Sequence, residues 1–209
     1  MTTFAPEFTG WSKTARLFRE ITITEKLDGT NAGLHVSEDG QVVAQSRNRI
    51  ITPDADNYGF ARWAADHADE LAHILGPGLH FGEWWGSGIQ RRYGLTDRPA
   101  GRDRHEVDRR FSLFNVDRWY REDEVVESMR SRADQSLLVD AVDAVPVLYR
   151  GVFSEDAITE AMTDLRTGGS YAAPGFMNPE GICVYHSQSR TVYKITLDNN
   201  DAGKWEAAA

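Results

Sequence analysis

Two stretches of this chain alternate polar and apolar residues on either side of a turn signal, and that pattern restricts the fold more than any other feature. In "AGLHVSEDGQVVAQS" (residues 32–46) two short runs flank Glu38-Asp39-Gly40. An Asp-Gly pair between alternating runs is a strong hairpin signal. "EGICVYHSQSRTVYKITL" (residues 180–197) reads as a second hairpin, and Ile21 and Ile23 alternate with Thr22 and Thr24 ahead of Lys26 as a further strand. "LHFGEWWG" (79–86) and "RFSLFNVDRW" (110–119) read as buried strands. Helical spacing of Phe60, Trp63, Ala64, His67, Leu71, Ile74 and Leu75 predicts one amphipathic helix, stopped by Gly76-Pro77. Residues 122–133 and 154–169 read as two more helices, each with acids in its first turn, where the helix dipole favours them. Strands outnumber helices and are mostly hairpin-linked. The fold class is therefore α+β, with antiparallel sheets flanked by helices. With 209 residues and no repeat or linker, the chain reads as one domain, 1–209.

No apolar run is long enough to span a bilayer, so no membrane partner is expected. "MTTFAPEFTG" lacks the charged and apolar regions of a secretory signal. One cysteine, Cys183, excludes an internal disulfide, and a reducing, cytoplasmic compartment is the natural expectation. A net charge of −9 argues against non-specific coating of nucleic acid but leaves room for a local basic groove. Residues 89–110 concentrate Arg91, Arg92, Arg98, Arg102, Arg104, Arg109 and Arg110, interleaved with Asp97, Asp103, Glu106 and Asp108. On charge alone this is either a solvated loop or a cationic surface. His35, His80 and His186 form no metal-like pattern with cysteine, and Trp84 and Trp85 read as core.

The lysines are more telling. The chain has four, Lys13, Lys26, Lys194 and Lys204, and its other strong bases are arginines. Lys26 closes a strand and is followed by Asp28-Gly29. Lysine is a nucleophile only as a neutral amine, which is scarce near pH 7 when the ordinary pKa is about 10.4. Arginine cannot replace it, because its guanidinium stays protonated in proteins. The segments around Lys26 come in a meaningful order. "EKLDGTN" (25–31) resembles motif I of the covalent nucleotidyltransferases, the ATP-dependent ligases and mRNA capping enzymes. "SRNR" (46–49) resembles motif Ia, "FGEWWG" (81–86) motif III, "FSLFNV" (111–116) motif IIIa, "PEGICVY" (179–185) motif IV and "VYKITL" (192–197) motif V. Asn31 after "KLDGT", and "GEWWGSGIQ", are similar to the RNA ligase branch, in particular its nick-sealing type. Where that family usually has two lysines in motif V, Val192 takes the first position and Lys194 the second.

The resemblance implies a nucleotidyltransferase domain (ATP-grasp-like) of two antiparallel sheets with the nucleotide between them. It implies an ATP-dependent RNA ligase acting through a lysine-AMP intermediate and an adenylylated 5′-end. Lys26 would be the nucleophile. Glu83 would hold the ribose hydroxyls, Arg47 the ribose or a phosphate, and Lys194 the α-phosphate. Phe114 would stack on adenine, and Glu25 would help read that base by backbone or side chain. Asn31 belongs to the nucleotide site, and Glu180 would serve a divalent cation, Mg²⁺ or Mn²⁺. Phe111 and Phe114 could equally be plain core. The cofactors implied are ATP and the metal, and the partner is RNA as a nicked duplex or paired ends. An OB-fold or helical domain of the kind that follows motif V in relatives is not expected here, so its work would fall to another surface of this chain or to a partner protein. Arg91 and Arg92 would then contact RNA phosphates. The alternatives are a minimal DNA ligase, which the 2′-OH of the 3′-OH strand would discriminate, or a non-catalytic module binding a nucleotide or an RNA end. A phage origin fits the compact size.

Overall fold

The computed structural model describes residues 7–95, 108–119 and 142–198. The expected helix at 122–133, and Arg98, Arg102 and Arg104, lie outside the described residues. Strands β1 (Glu20–Lys26), β2 (Thr30–Val36) and β3 (Val42–Ser46) are followed by helices α1 (Phe60–Asp66) and α2 (Ala68–Leu75). Next come β4 (Gly78–Gly86), β5 (Arg109–Leu113), the single turn α3 (Val116–Trp119), β6 (Val142–Ala144) and β7 (Val147–Val152). Helix α4 (Glu155–Gly168) leads to β8 (Gly181–His186) and β9 (Thr191–Thr196). They make two sheets, one ordered β7-β1-β8-β9 and the other β3-β2-β4-β5-β6.

Both predicted hairpins are present. β2 pairs β3 antiparallel with Val36 opposite Val42, and β8 pairs β9 with His186 opposite Thr191. Helix α4 starts where its sequence says: Ser154 accepts a hydrogen bond from the Ala157 amide at 3.2 Å, and Glu155 and Asp156 occupy the first turn. Its apolar stripe, Ala157, Ala161 and Leu165, packs on Ile21, Ile23, Ile182 and Val184 of the four-stranded sheet. The five-stranded sheet has the larger core, which gathers Phe60, Trp84, Trp85, Phe111 and Tyr93. Fully burying one such side chain contributes roughly 1.5–3 kcal/mol.

Three expectations need correction. The single helix over residues 58–78 is two, because His67 leaves helical geometry (φ −121°, ψ 24°). Its backbone N–H and ring Nδ1 both reach the Trp63 carbonyl, at 3.2 and 2.8 Å, so the side chain ends one helix while the carbonyl of His67 starts the next by accepting from the Leu71 amide. The strand expected over 110–119 stops at Leu113. Asn115 Oδ1 accepts from the Arg118 amide at 3.3 Å and starts the α3 turn. Finally, the sheets are not wholly antiparallel, since β6 runs parallel to β5 with Phe111 opposite Val142.

One turn stands apart. After β4, Gln90, Arg92 and Tyr93 have φ values of 42°, 61° and 50°. Residues other than glycine rarely adopt this left-handed region, and each such residue costs on the order of 1–3 kcal/mol. The segment is secured by Ile89 and Tyr93, both buried in the core of the five-stranded sheet.

Candidate active site

The period of two along β1 decides which residues share a face. Ile21, Ile23 and Glu25 turn toward α4 and the segment after it, while Thr22, Thr24 and Lys26 line a cleft of about 780 Å³. Lys26 sits opposite Gly181 in the β1–β8 ladder. Gly181 is required there: a Cβ would come within 2.1 Å of the Ile195 carbonyl oxygen, so only glycine lets β8 start this close to β9. That placement carries Glu180 to Lys26, whose Nζ lies 2.5 Å from Glu180 Oε2. Both side chains are mostly buried, and the Lys26 ammonium is the partner that Glu180 Oε2 has among the described residues.

Directly after Lys26 the chain comes very close to β4. A Cβ on Gly29 would meet the Trp84 carbonyl oxygen at 2.4 Å, which explains the glycine of "KLDG". Glu83 binds there. Its Oε1 accepts from the Gly29 amide at 3.1 Å and its Oε2 from Asn31 Nδ2 at 3.0 Å. Asn31 and Glu83 are cross-strand partners, so the contact is built into the β2–β4 register. Burial pushes the Glu83 carboxyl up to about 7. Lys26 and the two hydrogen bonds pull it down, and Glu180 adds to the rise.

The remaining wall residues divide between the sheets. Lys194 and Cys183 come from the same face of the four-stranded sheet as Lys26, since Thr24 pairs Cys183 and Cys183 pairs Lys194. Arg47 and Phe114 come from the other sheet and also border a second depression of about 510 Å³. Phe114 is 42% exposed whereas Phe111 is fully buried, so of the two only Phe114 is placed to meet a ligand. Cys183 was not anticipated as a lining residue, although alternation from Gly181 in "EGICVY" places it on the face of Lys26. Burial pushes its thiol upward, opposed by Lys26 and Lys194 and reinforced by Glu180 and Glu83.

Two site residues have other duties. Glu25 is 1% exposed, and its carboxylate accepts from Ser170 Oγ at 2.6 Å and from the Tyr171 and Ala172 amides at 2.9 and 3.0 Å. Burial raises its pKa against those hydrogen bonds. The side chain ties the segment after α4 to β1 and is not free to read a base. Arg91, expected on RNA, has a side chain only 14% exposed, turned inward onto Asp28, Asn178, Pro179 and Asp198. Arg109 binds the Ser87 and Tyr58 carbonyls, and Arg110 lies over Trp85. Of this arginine group, Arg92 is exposed. Among the described residues no three or more His, Cys, Asp or Glu side chains gather to hold a metal.

The chain matches the RNA ligase family over residues 19–199. No curated protein matches it. Among solved structures it is similar to the Naegleria gruberi RNA ligase with PPi (16% identity, TM-score 0.53, covering 85% of this chain and 49% of that one). It is also similar to mutants of that ligase with ATP and Mn (17%, TM-score 0.52, 85% and 49%) and with AMP and Mn (18%, TM-score 0.52, 86% and 50%). At such identity the likeness concerns the fold, and the chain spans about half the length of these structures.

Proposed function

The chain belongs to the RNA ligase family, and from that premise we propose that it is an ATP-dependent ligase that seals RNA ends through AMP carried on Lys26. The observation that carries this reading is the setting of the Lys26 amine. It sits in the cleft against the buried carboxylate of Glu180, with Lys194 on the same sheet face and Glu83, Arg47 and Phe114 on the facing wall.

In the first step Nζ, once deprotonated, attacks the α-phosphorus of ATP, and the bond to pyrophosphate breaks. In the second, a 5′-phosphate oxygen of RNA attacks the same phosphorus, the N–P bond breaks and Lys26 recovers its proton. In the third, a 3′-OH attacks the activated 5′-phosphate, loses its proton and expels AMP. Each step spreads negative charge over phosphoryl oxygens, so fixed cations at Arg47 and Lys194 lower its cost. Glu83 keeps spare lone pairs on both oxygens and can accept from ribose hydroxyls. Phe114 offers a face to adenine. Glu180 Oε2, buried and paired with the Lys26 ammonium, would suit a divalent cation once that amine gives up its proton, because Mg²⁺ is commonly held by one or two carboxylates plus substrate phosphates. Such a cation would neutralise phosphoryl charge. The nucleotidyltransferase character of the fold and the preference for nicked duplex rest on the same motif order, and the bound ATP, AMP and Mn of the Naegleria structures are consistent with it.

Incubation with ATP labelled at the α-phosphate, followed by peptide mass analysis, tests the reading. The expected result is one AMP on Lys26, strong with ATP and weak with GTP, and absent from Lys26→Ala and Lys26→Arg. Labelling that persists in either variant overturns the assignment. Labelling by GTP in preference to ATP moves the protein toward the capping enzymes.

A further inference from the structure

We infer that Arg91 is a positioning residue that holds three separate segments of the cleft, those bearing Lys26, Glu180 and Lys194, in one arrangement; the inference rests on the ligase reading above. The ladder between β1 and β8 ends at the pair Lys26–Gly181. Beyond that pair the two chains part: the Glu180 carbonyl still accepts from the Leu197 amide at 2.8 Å and Gly29 is held by Glu83, but no ladder bond joins the segment after Lys26 to the segment before Gly181. Arg91 occupies this junction. Its Nε donates to Asp28 Oδ2 at 3.0 Å, two residues past Lys26. One terminal nitrogen donates to the Asn178 carbonyl at 3.3 Å, to Asn178 Oδ1 at 3.2 Å and to the Pro179 carbonyl at 3.5 Å, directly before Glu180. The other terminal nitrogen meets the Asp198 carboxylate just past β9, the strand of Lys194.

The mount of this side chain is equally specific. Arg91 lies inside the left-handed turn, between Gln90 and Arg92, and the buried Ile89 and Tyr93 anchor that turn to the core. Tyr93 returns to the same place: its hydroxyl accepts the Asp28 amide at 2.8 Å. One short turn therefore grips Asp28 by its backbone and its carboxylate, next to the proposed nucleophile. Unfavourable backbone geometry maintained by core anchors, and directed at a reacting group, is the pattern expected of a preorganised site. A guanidinium carries its donors on three nitrogens in one rigid plane and so reaches acceptors on separate segments, whereas an ammonium carries its three on a single rotatable nitrogen. Lys26 and Glu180 stand 2.5 Å apart, so a shift of either segment changes the aim of the amine.

The test compares Arg91→Lys with the parent in AMP transfer to the protein, with the rate at saturating ATP and the ATP concentration for half-maximal rate measured separately. Thermal unfolding and the salt dependence of RNA binding are measured on the same samples. Arg91→Lys is expected to remain folded and to lose roughly tenfold to a hundredfold in saturating rate, since a displacement of about 1 Å can cost that much. The half-saturating ATP concentration and the salt slope should stay near parental values. Asp198→Asn removes one arm and should show a smaller loss of the same kind; it decides the matter if Arg91→Lys does not fold. A parental rate overturns the inference. Normal AMP transfer with a salt slope lower by about one makes Arg91 a phosphate contact instead. A rate loss that only tracks loss of folded protein makes it structural. A parent protein that takes up no AMP overturns the ligase reading and this inference with it.

Discussion

The two sheets face one cleft but are built differently. The four-stranded sheet contributes Lys26, Lys194 and Cys183, and its described core is seven buried residues, all aliphatic. The five-stranded sheet contributes Glu83, Asn31 and Phe114, and the cluster behind it contains twenty-four, among them Phe60, Trp84, Trp85 and Phe111. Both lysines of the cleft thus stand on a thinly backed sheet, while Arg47 and the groups suited to a base and sugar stand beside an aromatic foundation.

The contrast can be broken at three points. The largest effect should come from Phe111→Ala, which removes a fully buried ring touching Phe60 at 5.1 Å between centroids. A loss of about 3–5 kcal/mol in urea unfolding is expected. A loss below about 1.5 kcal/mol, the range for removing a single methylene as in Ile23→Val, would mean that the ring at Phe111 is no foundation at all. The next effect concerns pH. Because the folded-state pKa of Glu83 lies above the ordinary carboxyl value, at about 7, the folded protein binds more protons than the unfolded chain between the two values. Stability is therefore fully present below about 4.5 and is lost as pH rises through 7, by at most roughly 3 kcal/mol. Unfolding midpoints at pH 5 and pH 8 should differ in the parent, and Glu83→Gln should remove that part of the difference. An unchanged pH dependence in the variant would show that other groups carry it. The smallest effect is expected from Phe114→Leu. The ring is 42% exposed, so stability should barely change, while half-saturation by ATP should rise about tenfold, equivalent to about 1.4 kcal/mol. A stability loss as large as that of Phe111→Ala would place Phe114 in the core instead.

Local patterns were readable where the chain acts locally. Alternation located β1, the two hairpins and the face that carries Lys26, and Ser154 with its following acids located the start of α4. The break at His67 left no trace in hydrophobic spacing, because it arises from a ring nitrogen meeting a carbonyl. Asn115 was a legible cap that the apolar run around it obscured. Long-range partnerships were not legible at all. Glu25 finds Ser170 across 145 positions and Arg91 finds Asp198 across 107, and neither sequence neighbourhood announces its partner. Both residues were assigned to ligands for that reason, since a charged residue beside a motif reads as a contact until its own chain is seen to claim it. Family likeness named Glu83 and Phe114, but only the β2–β4 register places Glu83 beside Asn31, and only exposure separates Phe114 from the buried Phe111.

Strand β9 lies at the end of its sheet, with no strand beyond it among the described residues, and Val192 and Tyr193 on it are 60% and 56% exposed. An edge strand with exposed apolar side chains is a template on which a second copy of the chain can add its own strand. Lys194 stands in the middle of it, and a charge there repels such an addition. The residue proposed to steady a phosphate is thereby also placed to keep molecules apart, and replacing it with an apolar side chain would invite self-association at high concentration even where the fold survives.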